Sequence, residues 1–318
     1  MSSRNVIAVV FLGVVLSVLA GCVPSAEMKL NLSPQSETAY KVVTSSAKDY
    51  QFTQPSINKT KERHTEANLE MVFSQKVESA DNQGNATVNI TIKQLKYLSK
   101  DPEGTKEDFD SQREQDKSNL LTKLIGASYK LKISPNGGVE VLDASAARAI
   151  VRGGSAGDVA TKLFSDEGIA RRHQVMALFD AGKGSCKKGD KWSSLADSPQ
   201  GTLAPKTFEK VYTVTDIKAK DDQKIATVEM AAVPSSKRLL ADQKKEQAMD
   251  FFASMFDEKN NYTGKMVINL TTGVIESYQE IFKVDWLAME PSEEQKNDQG
   301  PDQLTMAFTE VYSIEKVK

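Results

Sequence analysis

The strongest constraint on this chain is a two-residue rhythm. Thr38 to Phe52, Leu69 to Ser79, Ala86 to Leu98, Tyr129 to Ser134 and Val139 to Leu142 are rich in β-branched and aromatic residues. Many of these alternate with polar neighbours, as in Val88-Asn-Ile90-Thr-Ile92. A side-chain period of two puts the three aliphatic residues on one strand face and the polar pair on the other. Between the runs stand Asp81-Asn-Gln-Gly84 and Pro135-Asn-Gly-Gly138. Asn and Gly tolerate the positive φ of tight hairpin turns, so the runs read as antiparallel hairpins.

The plan then returns. Leu69-Glu-Met-Val72-Phe73 matches Phe208-Glu-Lys-Val211-Tyr212 at an offset of 139. Asp81-Asn-Gln83 matches Asp221-Asp-Gln223, and Ala86-Thr-Val-Asn-Ile90 matches Ala226-Thr-Val-Glu-Met230, both at 140. The change predicts one inserted residue, such as a bulge. Lys130-Leu-Lys-Ile133 and Gly138-Val139 match Lys265-Met-Val-Ile268 and Gly273-Val274 at 135. Ordered blocks at nearly constant offset indicate an internal duplication. Helices are expected as connectors at Asp143 to Arg152, Asp158 to Phe164, Asp166 to Asp180 (with Gly182 just beyond) and Lys237 to Phe256. The third carries Ile169, Val175, Met176, Leu178 and Phe179; the fourth has an apolar stripe of Leu240, Ala248, Phe251, Phe252 and Met255. Tyr278, Phe282, Val284 and Trp286 alternate on a long strand, Pro291 to Asp302 is an acidic loop, and Leu304 to Val317 is the last strand. The fold class is α+β, mostly antiparallel β, with two duplicated hairpin units and connecting helices packed on or in the sheet.

The N-terminus is of another kind. Arg4 precedes an apolar run from Val6 to Val18, which even with Leu19 and Ala20 is short for a bilayer span of about 20 residues. It has the length of a secretory h-region. Leu19-Ala20-Gly21-Cys22 resembles the lipobox of bacterial lipoproteins. The resemblance implies cleavage after Gly21, a diacylglyceryl thioether on Cys22 and a further acyl chain on the new amino group. At about 0.8 kcal/mol per buried CH₂, several chains anchor durably where one is marginal. Val23 rather than Asp follows the cysteine, which favours the outer membrane, facing the periplasm, if the source has two membranes. The expected organisation is a signal peptide at 1–21, a lipidated tether at 22–26, a first repeat with its helical connector at 27–187 and a second repeat at 188–318, packed as one domain.

Composition argues against several functions. An apolar content of 39% and a charged content of 26% are those of a soluble globular domain. Without Arg4 the mature chain has 40 bases against 43 acids, which offers nothing to nucleic acid. With Cys22 acylated, Cys186 has no intramolecular partner, and it reads as a passive loop thiol whose pKa Lys187 and Lys188 could lower. Gly153-Gly-Ser155-Ala-Gly157 satisfies G-x-S-x-G, with Asp166 and His173 downstream in hydrolase order. A nucleophile elbow needs a strand before its serine, whereas a helix is expected there, so a Gly/Ser hinge explains these residues better. His64 and His173 stand beside basic residues, which disfavours a bound metal, and no metal-ligand spacing, P-loop or dinucleotide motif exists. The charges of Glu107, Asp108, Asp110, Glu114 and Asp116 among Lys106, Arg113 and Lys117 read as a solvated face or loop. No cofactor is expected.

Phe109-Asp110-Ser111, Leu124-Ile-Gly126 leading to Tyr129-Lys-Leu-Lys-Ile-Ser134-Pro-Asn-Gly-Gly-Val139, and Gly189-Asp-Lys-Trp192 resemble an uncharacterised family of bacterial lipoproteins. The likeness covers most of the mature chain and implies an envelope location without a known activity. At fold level it implies similarity to the lipoprotein-carrier half-barrels, a curved sheet whose hollow is plugged or lined by helices. The expectation is a non-catalytic, membrane-anchored envelope protein that binds an apolar ligand or a partner protein. The alternatives are a structural or assembly component, and a serine hydrolase using Ser155.

Overall fold

The structure is a computed structural model that describes residues 26–178, 185–203, 206–237, 254–290 and 300–317. The lipobox residues Leu19, Ala20, Gly21 and Cys22, Phe179, Gly182, and most of the helix expected at 237–256 and of the acidic loop at 291–302 lie outside the described residues.

The first half contains β1 (Ala26–Glu27), β2 (Glu37–Gln54), β3 (Lys59–Ala80), β4 (Ala86–Asp101), β5 (Gly104–Asp110), β6 (Ser128–Ile133) and β7 (Val139–Asp143). Three helices follow, α1 (Ser145–Ile150), α2 (Gly154–Leu163) and α3 (Asp166–His173). Then come β8 (Ser185–Cys186), β9 (Lys191–Asp197), β10 (Thr207–Lys220), β11 (Gln223–Pro234), β12 (Asp257–Asn269), β13 (Val274–Met289) and β14 (Gln303–Lys316). β1 pairs only with β8; the other strands form one curved, unclosed, antiparallel sheet of twelve. Its order is β7-β6-β4-β3-β2-β14-β13-β12-β11-β10-β9, with β5 beside the outer part of β4.

The alternation explains the faces. Val88, Ile90 and Ile92 are fully buried, while between them Asn89 bonds Thr91 and Thr91 bonds Ser128 on the other side. The turn at 81–85 is held by the Asp81 carboxylate, which accepts from the backbone N–H groups of Gln83 and Asn85, and by Gly84 at φ +81°. The matching turn places Asp221 and Asp222 at φ 49° and 60°, where short polar side chains are the usual substitute for glycine.

The two hairpins share one irregularity, while the first has a second shift, between Val72 and Phe73, that the other lacks. Val77 faces Val88 and Ser79 faces Thr87, skipping Glu78; Val214 faces Val228 and Asp216 faces Thr227, skipping Thr215. Each hairpin therefore carries a bulge at the same place. On the first strand the structural offset is 137 (77 to 214), two residues from the offset of the sequence match. A shift of two keeps every side chain on its face, so the sequence match aligned faces rather than register.

The expected helix from Asp166 to Asp180 stops at His173. Gln174 is extended at ψ 133°, and the Val175 N–H donates to the Gly137 carbonyl in the β6–β7 turn. Of the solvated face or loop expected for the charged stretch, Glu107, Asp108 and Asp110 form the face, on β5 paired to β4 with only Phe109 buried. Cys186 is no loop thiol: in β8 it is 6% exposed, and burial, seconded by Asp190, pushes its pKa up to about 11 rather than down.

The helical connector lies across the core face of the sheet. Phe164 packs edge-on to Tyr129 and His173 to Phe73. The Trp192 indole donates to the Ala177 carbonyl at 3.1 Å, and the Tyr312 hydroxyl to that of Arg172 at 3.0 Å. These contacts reach β3, β6, β9 and β14, so the connector plugs the curved sheet. At one end Leu30 and Asn31 donate to the carbonyls of Pro135 and Gly273, which carries the chain from β1 over the mouth of the hollow.

Candidate functional site: the plugged hollow and the outer groove

The G-x-S-x-G segment does not assemble a triad. Ser155 lies in the first turn of α2, after a helix rather than a strand, and its hydroxyl donates to Glu107 at 3.1 Å. Asp166 is paired with Arg148. His173 is buried, and its Nε2 lies 2.7 Å from the Tyr129 hydroxyl. Burial first, and the charge of Arg172 second, hold this imidazole well below 6.5, so it is neutral. Its Nδ1 has no partner, whichever tautomer is present.

The plugged face contains a buried polar cluster that the sequence reading missed. Lys210 on β10 is 1% exposed and donates to both Glu280 oxygens on β13, at 2.9 and 2.8 Å. The Tyr262 hydroxyl donates to the same carboxylate at 2.9 Å, as does that of Tyr278, and the ammonium lies 4.4 Å from the centre of the Tyr262 ring. Burial, then the Glu280 charge, drive both phenols up, so they stay protonated donors. Nearby, the Tyr212 hydroxyl and Ser194 Oγ are buried, and Ser194 and Tyr278 lie close enough to Tyr212 to offset part of the burial-driven rise of its phenol. The signal for this cluster was available. Phe208, Lys210 and Tyr212 share one parity, as do Tyr278, Glu280 and Phe282, so each core face carries one charge, and the two are opposite.

A larger space lies on the other face. A groove of about 1030 Å³ crosses β3, β2, β14, β13 and β12 and reaches the β4–β5 turn. Tyr50, Arg63, Met306, Trp286 and Glu258 are successive cross-strand partners, so they share the core face. The groove is lined chiefly by their sequence neighbours, such as Asp49, His64, Ala307, Leu287 and Lys259, and it opens on the face away from the helices. This also corrects the reading of His64. Lys61 and Arg63 sit on the opposite side of β3, and the partners of the imidazole are Asp49, across on β2 at 2.7 Å, and Glu66, two residues along the same strand at 3.9 Å. Among the described residues no group of three or more His, Cys, Asp or Glu could hold a metal, and no helix is long and apolar enough to cross a membrane.

Fold and site together define an open antiparallel half-barrel with an internal helical plug and an outer groove. No family model matches the chain and no curated protein does, so the lipoprotein-family resemblance rests on the motifs quoted for it. Among solved structures the chain is similar to lipovitellin, described for its lipid–protein interactions, at 8% identity and a TM-score of 0.40. That match covers 90% of this chain but 25% of lipovitellin. A LolA superfamily protein from Nitrosomonas europaea matches at 9% identity, 91% and 89% coverage and a TM-score of 0.15. A DUF1329 family protein from Desulfovibrio piger matches at 9% identity, 86% and 85% coverage and a TM-score of 0.14. At these scores none carries an argument about what this chain binds.

Proposed function

We propose that the protein is a non-catalytic binding module held on the cell-envelope membrane by lipid on Cys22, with the outer groove as its ligand site. The observation that carries this reading is the groove itself. Its volume of about 1030 Å³ matches the upper end of the range for small-molecule sites, about 300–1,000 Å³. Leu287, Ala307 and Pro102 share its wall with charges of both signs, which suits an amphiphilic ligand. Leu30, Asn31 and Gln35, close to the N-terminal end of the described residues, bond the opposite strand ends at Pro135, Gly273 and Val77. At ~3.3 Å per strand residue, the stretch of β3 from Val77 back to His64 holds the groove roughly 40 Å from that end, clear of a membrane.

Native mass spectrometry of the protein released from its anchor should detect a bound amphiphile. Ala307→Trp, which fills the groove, should abolish it. A ligand retained unchanged in that variant would remove the groove from consideration, and a constant protein partner in its place would favour an assembly role. The tether is tested separately: radiolabelled palmitate should mark the wild type and not Cys22→Ser.

A further inference from the structure

The plug leaves a second, smaller space on the core face. Between α2–α3 and strands β2, β3 and β14 lies a partly open cavity of about 210 Å³. Leu69, Leu163, Tyr97 and the Tyr312 ring form its apolar wall, and Thr44 and Ser46 add hydroxyls. Three cations line it, Lys162, Arg171 and Arg172, against one carboxylate, Glu310. That carboxylate is already paired with Arg171.

Arg172 is the anomaly. It is 4% exposed, and among the described residues it forms no ion pair. One terminal nitrogen donates to the Leu163 carbonyl, while the buried Nε finds no acceptor. The Leu163 carbonyl belongs to the last turn of α2, so the negative end of that helix compensates the charge in part. A guanidinium carries five N–H donors, and a buried charge without a counter-ion is strongly unfavourable. The neighbours register this charge: after burial it is the next influence lowering His173, and the charge together with a hydrogen bond from the guanidinium opposes the burial-driven rise of the Tyr129 phenol.

We propose that this cavity is an anion site for a compact organic acid, a phosphate monoester or carboxylate, whose charged end pairs with Arg172 and Lys162 while a short apolar body rests on Leu69, Leu163 and Tyr97. At ~30 Å³ for each water in the liquid, the space holds an acid head and a short chain. The site lies on the face opposite the outer groove and does not depend on that groove binding anything.

The test uses the full chain in non-ionic detergent, titrated with hexyl phosphate, hexanoate, inorganic phosphate and 1-hexanol while the thermal midpoint and heat of binding are read. Either hexyl acid should bind saturably and raise the midpoint, and hexanol should not. Arg172→Met should weaken hexyl phosphate roughly thirtyfold or more, the lower end of what truncating one partner of a buried charge pair costs. In anion-free buffer the same variant should be as stable as the wild type or more so, because an unpaired buried charge has been removed. Ser46→Phe, which fills the cavity and keeps all three cations, should also lose binding. Inorganic phosphate binding as tightly as hexyl phosphate would overturn the apolar half of the proposal. The whole fails if hexanol binds as well as the acids, if neither acid saturates, or if Arg172→Met leaves binding unchanged.

Discussion

At the residue scale, Lys210 and Glu280 show how this sheet uses charge inside its core. Each satisfies the other, and two tyrosine hydroxyls complete the carboxylate. Removing one member strands the other, so Lys210→Met should destabilise the protein by about 3–5 kcal/mol. The double change Lys210→Met/Glu280→Leu should recover only part of that in urea denaturation, because the Tyr262 and Tyr278 hydroxyls lose their acceptor. His173 makes the second residue-scale prediction. Its folded pKa lies below the ordinary 6.5, so between those two values the unfolded chain binds a proton that the folded chain refuses. Stability is therefore full above pH 6.5 and falls on acidification, at about 1.4 kcal/mol per pH unit from this group. Urea midpoints from pH 7.5 to 5 should show that slope in the wild type, and less of it in His173→Gln.

At the element scale, intruding segments seat on two equivalent turns, Val175 on Gly137 and Asn31 on Gly273. A Cβ on Gly273 would meet the Asn31 nitrogen at 2.3 Å, and its φ is +64°. Gly273→Ala should cost more than about 1 kcal/mol and expose the segment around Asn31 to proteases, visible as a new cleavage there. Ser165, whose hydroxyl accepts from the Gly168 N–H at 3.0 Å, caps α3; Ser165→Ala should cost about 1 kcal/mol in the same denaturation assay. Most strands were legible because burial on one face forces alternation, as along Val88 to Ile92. β5 was not, because an edge strand such as Lys106-Glu-Asp-Phe109 needs only Phe109 inward, and that residue is buried. The end of α3 was hidden for another reason: the Gly137 carbonyl that draws Val175 out of the helix belongs to a distant turn. The outer groove was invisible for the same reason, since five strands distant in sequence build it.

At the scale of the whole molecule, the chain wraps back on itself. β14 lies between β13 and β2, and its pairing with β2 runs from Gln303 opposite Thr53 to Lys316 opposite Tyr40. Contacts of such sequence separation slow folding, because the loop must close before it is rewarded. A chain lacking residues 303–318 should show no cooperative unfolding by Trp fluorescence, and a synthetic peptide of that segment should restore it. Trp286, directly opposite Met306, is the reporter.

The position of that final strand also sets a demand on the cell. The segment that seams the two halves together is made after every other strand, so for most of its synthesis the protein is two unfinished sheets. Each has a long bare edge of the kind that recruits stray strands. A holding chaperone that keeps β2 and β13 apart until residue 316 has arrived would be as much a part of this fold as any side chain in it.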